Sequence, residues 1–220
     1  MADVAVLSGD IVGSSDLPAD IFAELIECLN QSLSLLCERY DARYEMFRGD
    51  AFQLVVNQPS CAIDCALTIR LALKSFGSKR QGFDARIGIG IGQIDPLDEY
   101  VSRSSGQAFV LSGRGLDSLK RQYLAIFADN PQFLRGIDLL TKFVDLQIQE
   151  LTVKQAHALA TYWQLSEPSH AALAKCLNSS RVNATKLLNQ SQYLLLDEYR
   201  QLFRQLTEEF FNGTLTIDAH

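Results

Sequence analysis

Through the first 130 residues, apolar positions fall in short alternating runs separated by longer stretches of helical spacing; beyond that only the helical spacing remains. Ala2–Leu7 is a run of small and branched apolar residues and predicts a buried strand. Pro18 opens a helix that carries Ile21, Leu25, Leu29, Leu33 and Leu36 on one face and runs to about Tyr40. Arg43–Phe47 and Ala51–Val56 read as two short strands, joined through Arg48-Gly49-Asp50 as a tight hairpin. Pro59 precedes a second helix with Cys61, Cys65, Ile69 and Leu73 at helical spacing. Within Phe83–Ile94, the segment Arg86-Ile87-Gly88-Ile89-Gly90-Ile91-Gly92 predicts a strand with isoleucines on one face and bare glycines on the other. Such a glycine face admits a helix or ligand close to the backbone. Gly106–Lys120 reads as a helix and Tyr123–Ala128 as a further strand.

The resulting order, βαββαβαβ with a hairpin between two helices, departs from a doubly wound pattern. It points to an α+β sandwich of the ferredoxin-like type, with helices over one sheet face and the other open for a ligand. After Asn130-Pro131 the chain is helical to Phe211, which divides it into an α+β unit (1–130) and an all-α unit (131–220). In the second unit Thr152–Gln164 is one helix and Ser169–Leu177 the next. Asn178-Ser179-Ser180 makes a turn, and Arg181–Ser191 follows with Val182, Leu187 and Leu188 expected to face inward. The last helix, Tyr193–Phe211, carries Leu194, Leu195, Leu202, Leu206, Phe210 and Phe211, apolar surface enough for a dimer seam or for a cover over the first unit.

Composition narrows the class. The 220 residues are 47% hydrophobic and 21% charged, as expected of a globular protein able to bury a sizeable core. No apolar run approaches the ~20 residues of a membrane span, and the N-terminus has no basic, apolar leader, so a cytoplasmic protein is expected. Five cysteines sit in helical patterns without C-x-x-C spacing and read as core thiols. Charge is uneven: the net of −6 lies in residues 1–150, whereas residues 151–195 carry Lys154, Lys175, Arg181 and Lys186 against Glu167 alone. The first 150 residues contain no histidine, so chemistry there cannot use an imidazole base or ligand.

Two aspartates stand at matching places: Asp10 in Ser8-Gly9-Asp10-Ile11-Val12-Gly13-Ser14, and Asp50 in Phe47-Arg48-Gly49-Asp50-Ala51-Phe52. Each follows a glycine at the end of an apolar run. Two carboxylates at adjacent strand ends suit a hard divalent cation held against phosphates; apart, they are solvated turn aspartates. The N–H groups of Ile11, Val12, Gly13 and Ser14 could cradle phosphates, and Arg48 stands beside Asp50 either to meet an anion or to neutralise it.

These motifs resemble those of class III nucleotide cyclases. Asp10-Ile11-Val12-Gly13-Ser14 is similar to their first metal motif, Gly49-Asp50-Ala51-Phe52 to their second, Arg86-Ile87-Gly88-Ile89 to the strand that follows, and Gly106 to Arg114 to the helix that ends in a phosphate-binding arginine. The resemblance implies a palm-type fold over residues 2–128, with Mg²⁺ or Mn²⁺ on Asp10 and Asp50, a nucleoside triphosphate, and Arg114 stabilising charge on the reacting phosphate. It also departs from that family: Met46 stands where a base-reading lysine is usual and Val110 where an asparagine is usual. Over nearly the whole chain, Gly-Asp-Ile-Val-Gly-Ser, Gly-Asp-x-Phe and Arg-Ile-Gly-Ile-Gly-Ile-Gly followed by a helix-turn-helix is similar to the SatD family of bacterial proteins.

The segment 152–191 resembles helix-turn-helix domains of sigma-factor or regulator type. The likeness implies double-stranded DNA as partner, with Ser180, Arg181, Asn183 and Ala184 at base edges and Lys186 and Lys175 at phosphates. The expectation is a homodimeric regulator whose degenerate cyclase-like unit binds metal and nucleotide and controls a DNA-binding unit. The alternatives are an active Mg²⁺-dependent nucleotidyl transferase or cyclase, and an interaction module with vestigial sites.

Overall fold

The computed structural model of the chain describes residues 3–47, 49–77 and 82–211. The alternating runs form strands β1 (Val4–Ile11), β2 (Ala42–Phe47), β3 (Ala51–Val56), β4 (Ala85–Gly92) and β5 (Leu124–Ala128). The helices are α1 (Ala19–Tyr40), α2 (Ala62–Ser75), α3 (Gln107–Ser118), α4 (Pro131–Glu150), α5 (Val153–Gln164), α6 (His170–Cys176), α7 (Arg181–Gln190) and α8 (Tyr193–Phe211). The strands make one mixed sheet in the order β2-β3-β1-β4-β5, antiparallel throughout except for the β4–β5 pair. The first strand runs further than the sequence pattern suggested, so that Gly9 and Asp10 lie on it rather than beyond it.

Helix boundaries follow local chemistry. The Asn130 side chain accepts from the N–H groups of Gln132 and Phe133, with Pro131 at the first position of α4. Thr152 and Gln155 form a reciprocal capping box on α5. No described helix is long and apolar enough to cross a membrane.

The β4 isoleucines (Ile87, Ile89, Ile91) join Ala5, Leu7, Leu54 and Val56 in one core with Leu25, Leu29, Leu33 and Leu36 of α1. The same cluster continues through Ile63 and Leu67 of α2 to Phe133, Ile137 and Phe203 of α4 and α8. The glycine face is not left open, as the sequence reading had it. Helix α3 lies against it, so close that a Cβ on Gly90 would stand 2.3 Å from the Ala108 carbonyl oxygen. A short turn at Val101–Arg103 shares that face, and Val4, Val6, Val55, Val101, Ala108 and Phe109 form a second, smaller cluster there. Bare β4 backbone accepts a helix because burying α3's apolar side gains more than glycine's flexibility costs.

One polar cluster pins the larger core together. Arg70 on α2 is fully buried, and its guanidinium grips Asp84 through Nε (2.8 Å) and Nη2 (2.9 Å) and Asp145 on α4 through Nη1 (2.7 Å). Asp145 accepts from the Tyr123 N–H (2.9 Å) and Gln149 (3.0 Å), and Asp84 from the Ala85 N–H (2.9 Å). Lys74 stands 3.6 Å from Asp84, its ammonium pKa lowered by burial. The residues after Asn130 are tied down further by Thr141–Tyr199 (2.8 Å), by Asp64 of α2, which takes both Arg200 and Arg204 of α8, and by Arg200 lying 4.2 Å above the Trp163 ring. The Trp163 Nε1 is buried without a hydrogen-bond partner among the described residues.

Several side chains differ from the sequence reading. In α8, Leu196, Tyr199 and Phe203 turn inward, so this helix covers the core, while Leu194 and Leu195 stay exposed. Val182, expected inside, is 80% exposed, because the α7 face that meets its neighbours carries Ala184 and Leu188. Cys176 is exposed at the end of α6; all five cysteines are unpaired. Replacing Arg70 with Met should leave two buried carboxylates short of a counter-charge and lower unfolding free energy by about 3–5 kcal/mol in urea titration; adding Asp145→Asn should recover part of the loss.

Candidate functional site

Asp10 is the next-to-last residue of β1 and pairs in register with Arg86 of β4. Alternation puts both on the glycine face, where the guanidinium meets the carboxylate as a fork, Nε to Oδ1 at 2.9 Å and Nη2 to Oδ2 at 2.5 Å. The bond to Asp10 is the largest influence on Arg86 and raises its pKa further. A third Arg86 nitrogen reaches the Leu119 carbonyl oxygen at the end of α3 (3.4 Å). Asp50 sits in the β2–β3 hairpin after Gly49, whose positive φ of 91° makes the turn. Its Oδ2 accepts from the Ile11 N–H at 3.2 Å, which brings the hairpin carboxylate to the residue adjoining Asp10. Gly9 is required by crowding: a Cβ there would lie 2.5 Å from the Phe52 ring and 2.8 Å from the Arg86 carbonyl oxygen.

The loop after β1 is partly engaged. The Ile11 N–H is taken by Asp50, and the Val12 N–H donates to the Asp84 carbonyl oxygen (2.9 Å). Of the four N–H groups expected from sequence to cradle phosphates, those of Gly13 and Ser14 are not taken up in this way. Gly13 is left-handed (φ 70°), and a single 3-10 turn, Ser14–Asp16, separates it from α1. Arg48 lies outside the described residues.

Arg114 makes no hydrogen bond or ion pair with Asp10 or Asp50 among the described residues. It is exposed on the outward side of α3, opposite Ser112 and Gly115, which are buried against the sheet. Met46 packs against the helix-side core, on the sheet face away from Asp10, and Val110 is 47% exposed.

Sequence reasoning missed a shallow hollow of about 370 Å³ beside these residues, lined by Ser8, Gly9, Phe47, Gln53, Ser102 and Asp117 among others. Its size is that of a small-ligand site. Strand alternation carried part of the signal, since Ser8 and Gln53 share the Asp10 face; Ser102 and Asp117 arrive from elements whose docking no local pattern reveals.

Two carboxylates suit a cation that arrives with phosphates better than one held by protein alone, since Mg²⁺ usually takes one or two carboxylates plus substrate oxygens. No group of three or more His, Cys, Asp or Glu residues among those described could hold a metal ion. A cation at Asp10 would have to share the carboxylate with Arg86.

At the other end of the chain, Ser180 caps α7 by accepting from the Asn183 N–H (3.2 Å). Arg181, Asn183, Lys186 and Lys175 are exposed, and the Asn183 amide donates to Ser179 (2.9 Å). Ala184, expected at base edges, is fully buried and cannot reach a groove. His170 pins α6 to its neighbours through Thr185 (2.9 Å) and the Tyr193 hydroxyl (3.3 Å).

No protein-family model matches the chain, and no curated protein matches it. Among solved structures it is similar to the guanylyl cyclase domain of a RhoGC fusion protein from the aquatic fungus Blastocladiella emersonii, with 19% identity over 54% of this chain and 75% of that one, TM-score 0.43. It is similar to an adenylate cyclase from Trypanosoma brucei, with 17% identity over 57% of this chain and 73% of that one, TM-score 0.48. A guanylate cyclase domain from Catenaria anguillulae in complex with GTP aligns at 19% identity over 54% and 74%, TM-score 0.42.

The crowding at Gly9 and the open space at Gly13 separate two glycines of one motif. Gly9→Ala should cost about 1–3 kcal/mol in unfolding free energy by forcing β1 off Phe52, and Gly13→Ala about 1 kcal/mol, from its positive φ alone, both read by urea titration.

Proposed function

We propose that the chain is a SatD-like bacterial regulatory protein of the cytoplasm. In this reading its first 130 residues form a nucleotide-cyclase-like unit that binds a nucleoside triphosphate with Mg²⁺ or Mn²⁺, and residues 131–220 carry a helix-turn-helix that answers to it. The observation that supports the reading is the Asp50–Ile11 hydrogen bond, which ties the hairpin carboxylate to the residue after Asp10, with a hollow lined by their chain neighbours Gly9 and Ala51. Asp10 and Asp50 would hold the cation, which when bound supplies positive charge to the phosphates. The N–H groups of Gly13 and Ser14 would meet phosphate oxygens, while Ile11 and Val12 shape the loop; Arg48 remains a candidate contact to the anion.

Binding is favoured over catalysis by three features. Arg86 already occupies both Asp10 oxygens, Arg114 faces outward, and Met46 turns into the core where a base-reading residue would be needed. The retained carboxylates keep a second reading alive, a nucleotidyl transferase or cyclase in which Arg114 reaches a reacting phosphate from a second copy of the chain.

Titration calorimetry with each nucleoside triphosphate and Mg²⁺ should detect binding that weakens by roughly 30-fold or more in Asp50→Asn, from the loss of one charged ligand. Absence of binding to every nucleotide would sink both readings, and a product found by mass spectrometry that disappears in Asp10→Asn would favour the enzyme.

The DNA-binding part rests on α7. Ser180, Arg181 and Asn183 stand exposed at its start, Lys186 and Lys175 flank them, and Val182 offers an apolar contact of the kind that meets a thymine methyl. The Arg181→Ala, Lys186→Ala double variant should bind double-stranded DNA about tenfold more weakly at low salt, with a shallower salt dependence, in a fluorescence anisotropy titration; unchanged affinity would remove DNA from the reading.

A further inference from the structure

Ten large apolar side chains are exposed among the described residues, and four of them lie on one helix: Leu139 (63%), Leu140 (40%), Phe143 (63%) and Leu146 (59%) of α4. The opposite side of that helix, with Phe133, Ile137, Val144 and Ile148, is buried in the core. Leu139, Phe143 and Leu146 follow the i, i+4, i+7 spacing of a single stripe, so α4 is apolar on two faces and only one is covered. A helix paired on one side and apolar on the other is short of a partner.

The charges along the stripe say which partner. Arg135 and Glu150 extend it at opposite ends; both are exposed, and neither has an ion-pair partner among the described residues. The one cation between them, Lys142, is drawn along its own helix to Asp138 at 2.6 Å. A helix with a base at one end, an acid at the other and leucines between is complementary to itself when turned end for end.

We propose that α4 is the seam of a two-fold homodimer in which the stripe packs antiparallel against the same stripe of a second copy. An axis crossing between Lys142 and Phe143 sets Leu139 against the partner's Leu146 and Arg135 against the partner's Glu150, on both sides at once. The Lys142 stem then covers the partner's Phe143 ring, with its ammonium turned outward to Asp138. The isologous arrangement closes on itself, so it yields dimers and not filaments. The seam is distinct from α8, whose main apolar face is buried in its own chain. It needs no bound nucleotide, so a chain that dimerises through α4 yet binds no nucleotide would defeat the reading above and leave this one standing.

Sedimentation of the full chain between about 1 and 100 μM should show a shift from 24.5 kDa toward twice that mass, with a dissociation constant on the order of micromolar for a two-helix contact at the small end of stable interfaces. Leu146→Glu, at an exposed position, should keep the helical circular dichroism and melting temperature and raise the dissociation constant by roughly 30-fold or more. Arg135→Glu alone should raise it about tenfold by placing two acids together at each end, and Arg135→Glu with Glu150→Arg should restore it. A monomer throughout, a dimer indifferent to Leu146→Glu, or a charge swap without rescue would each overturn the proposal. So would a monomer that sediments with anionic vesicles, or one in which removing residues 212–220 creates the dimer.

Discussion

The Arg70 guanidinium is the point on which the rest of the molecule turns. It sits on α2 without access to water and is gripped by the carboxylates of Asp84, just before β4, and Asp145, in the C-terminal third of α4. A buried cation tolerates few positions, so three elements far apart in sequence are fixed relative to one another. The constraint extends past the core: the residue whose side chain grips Arg70 also offers its carbonyl oxygen to the Val12 N–H. The loop following Asp10 is therefore suspended from the same anchor that docks the helical half of the chain.

Glycines do the corresponding work on the other sheet face. Gly88 and Gly90 let α3 lie directly on β4, while on the core face Gly9 lets the Phe52 ring cross β1. With α3 in place, what remains of the glycine face is a shallow hollow lined by Ser8, Gln53, Ser102 and Asp117 among others. The carboxylates are not bare: one is neutralised by Arg86 and the other accepts from the backbone.

Local periodicity carried most of the secondary structure. The isoleucine–glycine alternation of β4 and the caps at Asn130 and Thr152 act within a few residues, and the helix Tyr193–Phe211 coincides with its apolar run. The fate of each face was less legible. Alternation shows that β4 has a bare side, yet only tertiary packing decides that α3 fills it. Val182 and Ala184 exchanged expected roles because positions two apart on a helix differ by about 200°, and the sequence does not say which direction meets the neighbouring helices. The site was half legible. Glycine-aspartate pairs at strand ends mark Asp10 and Asp50, but Arg86 was read only as part of a strand motif, and its partnership with Asp10 depends on the register between β1 and β4.

The chain contains one tryptophan, and its position gives it a use as an optical gauge. Trp163 lies under the Arg200 guanidinium with its indole N–H shut away from solvent and without a hydrogen-bond partner among the described residues. Arg200 belongs to α8 and is tethered to Asp64 on α2, so the environment of this single fluorophore depends on whether the last helix is seated. Emission colour and quenching thus respond to α8 docking without any label. The physical origin is a charged side chain of the last helix laid across the indole ring.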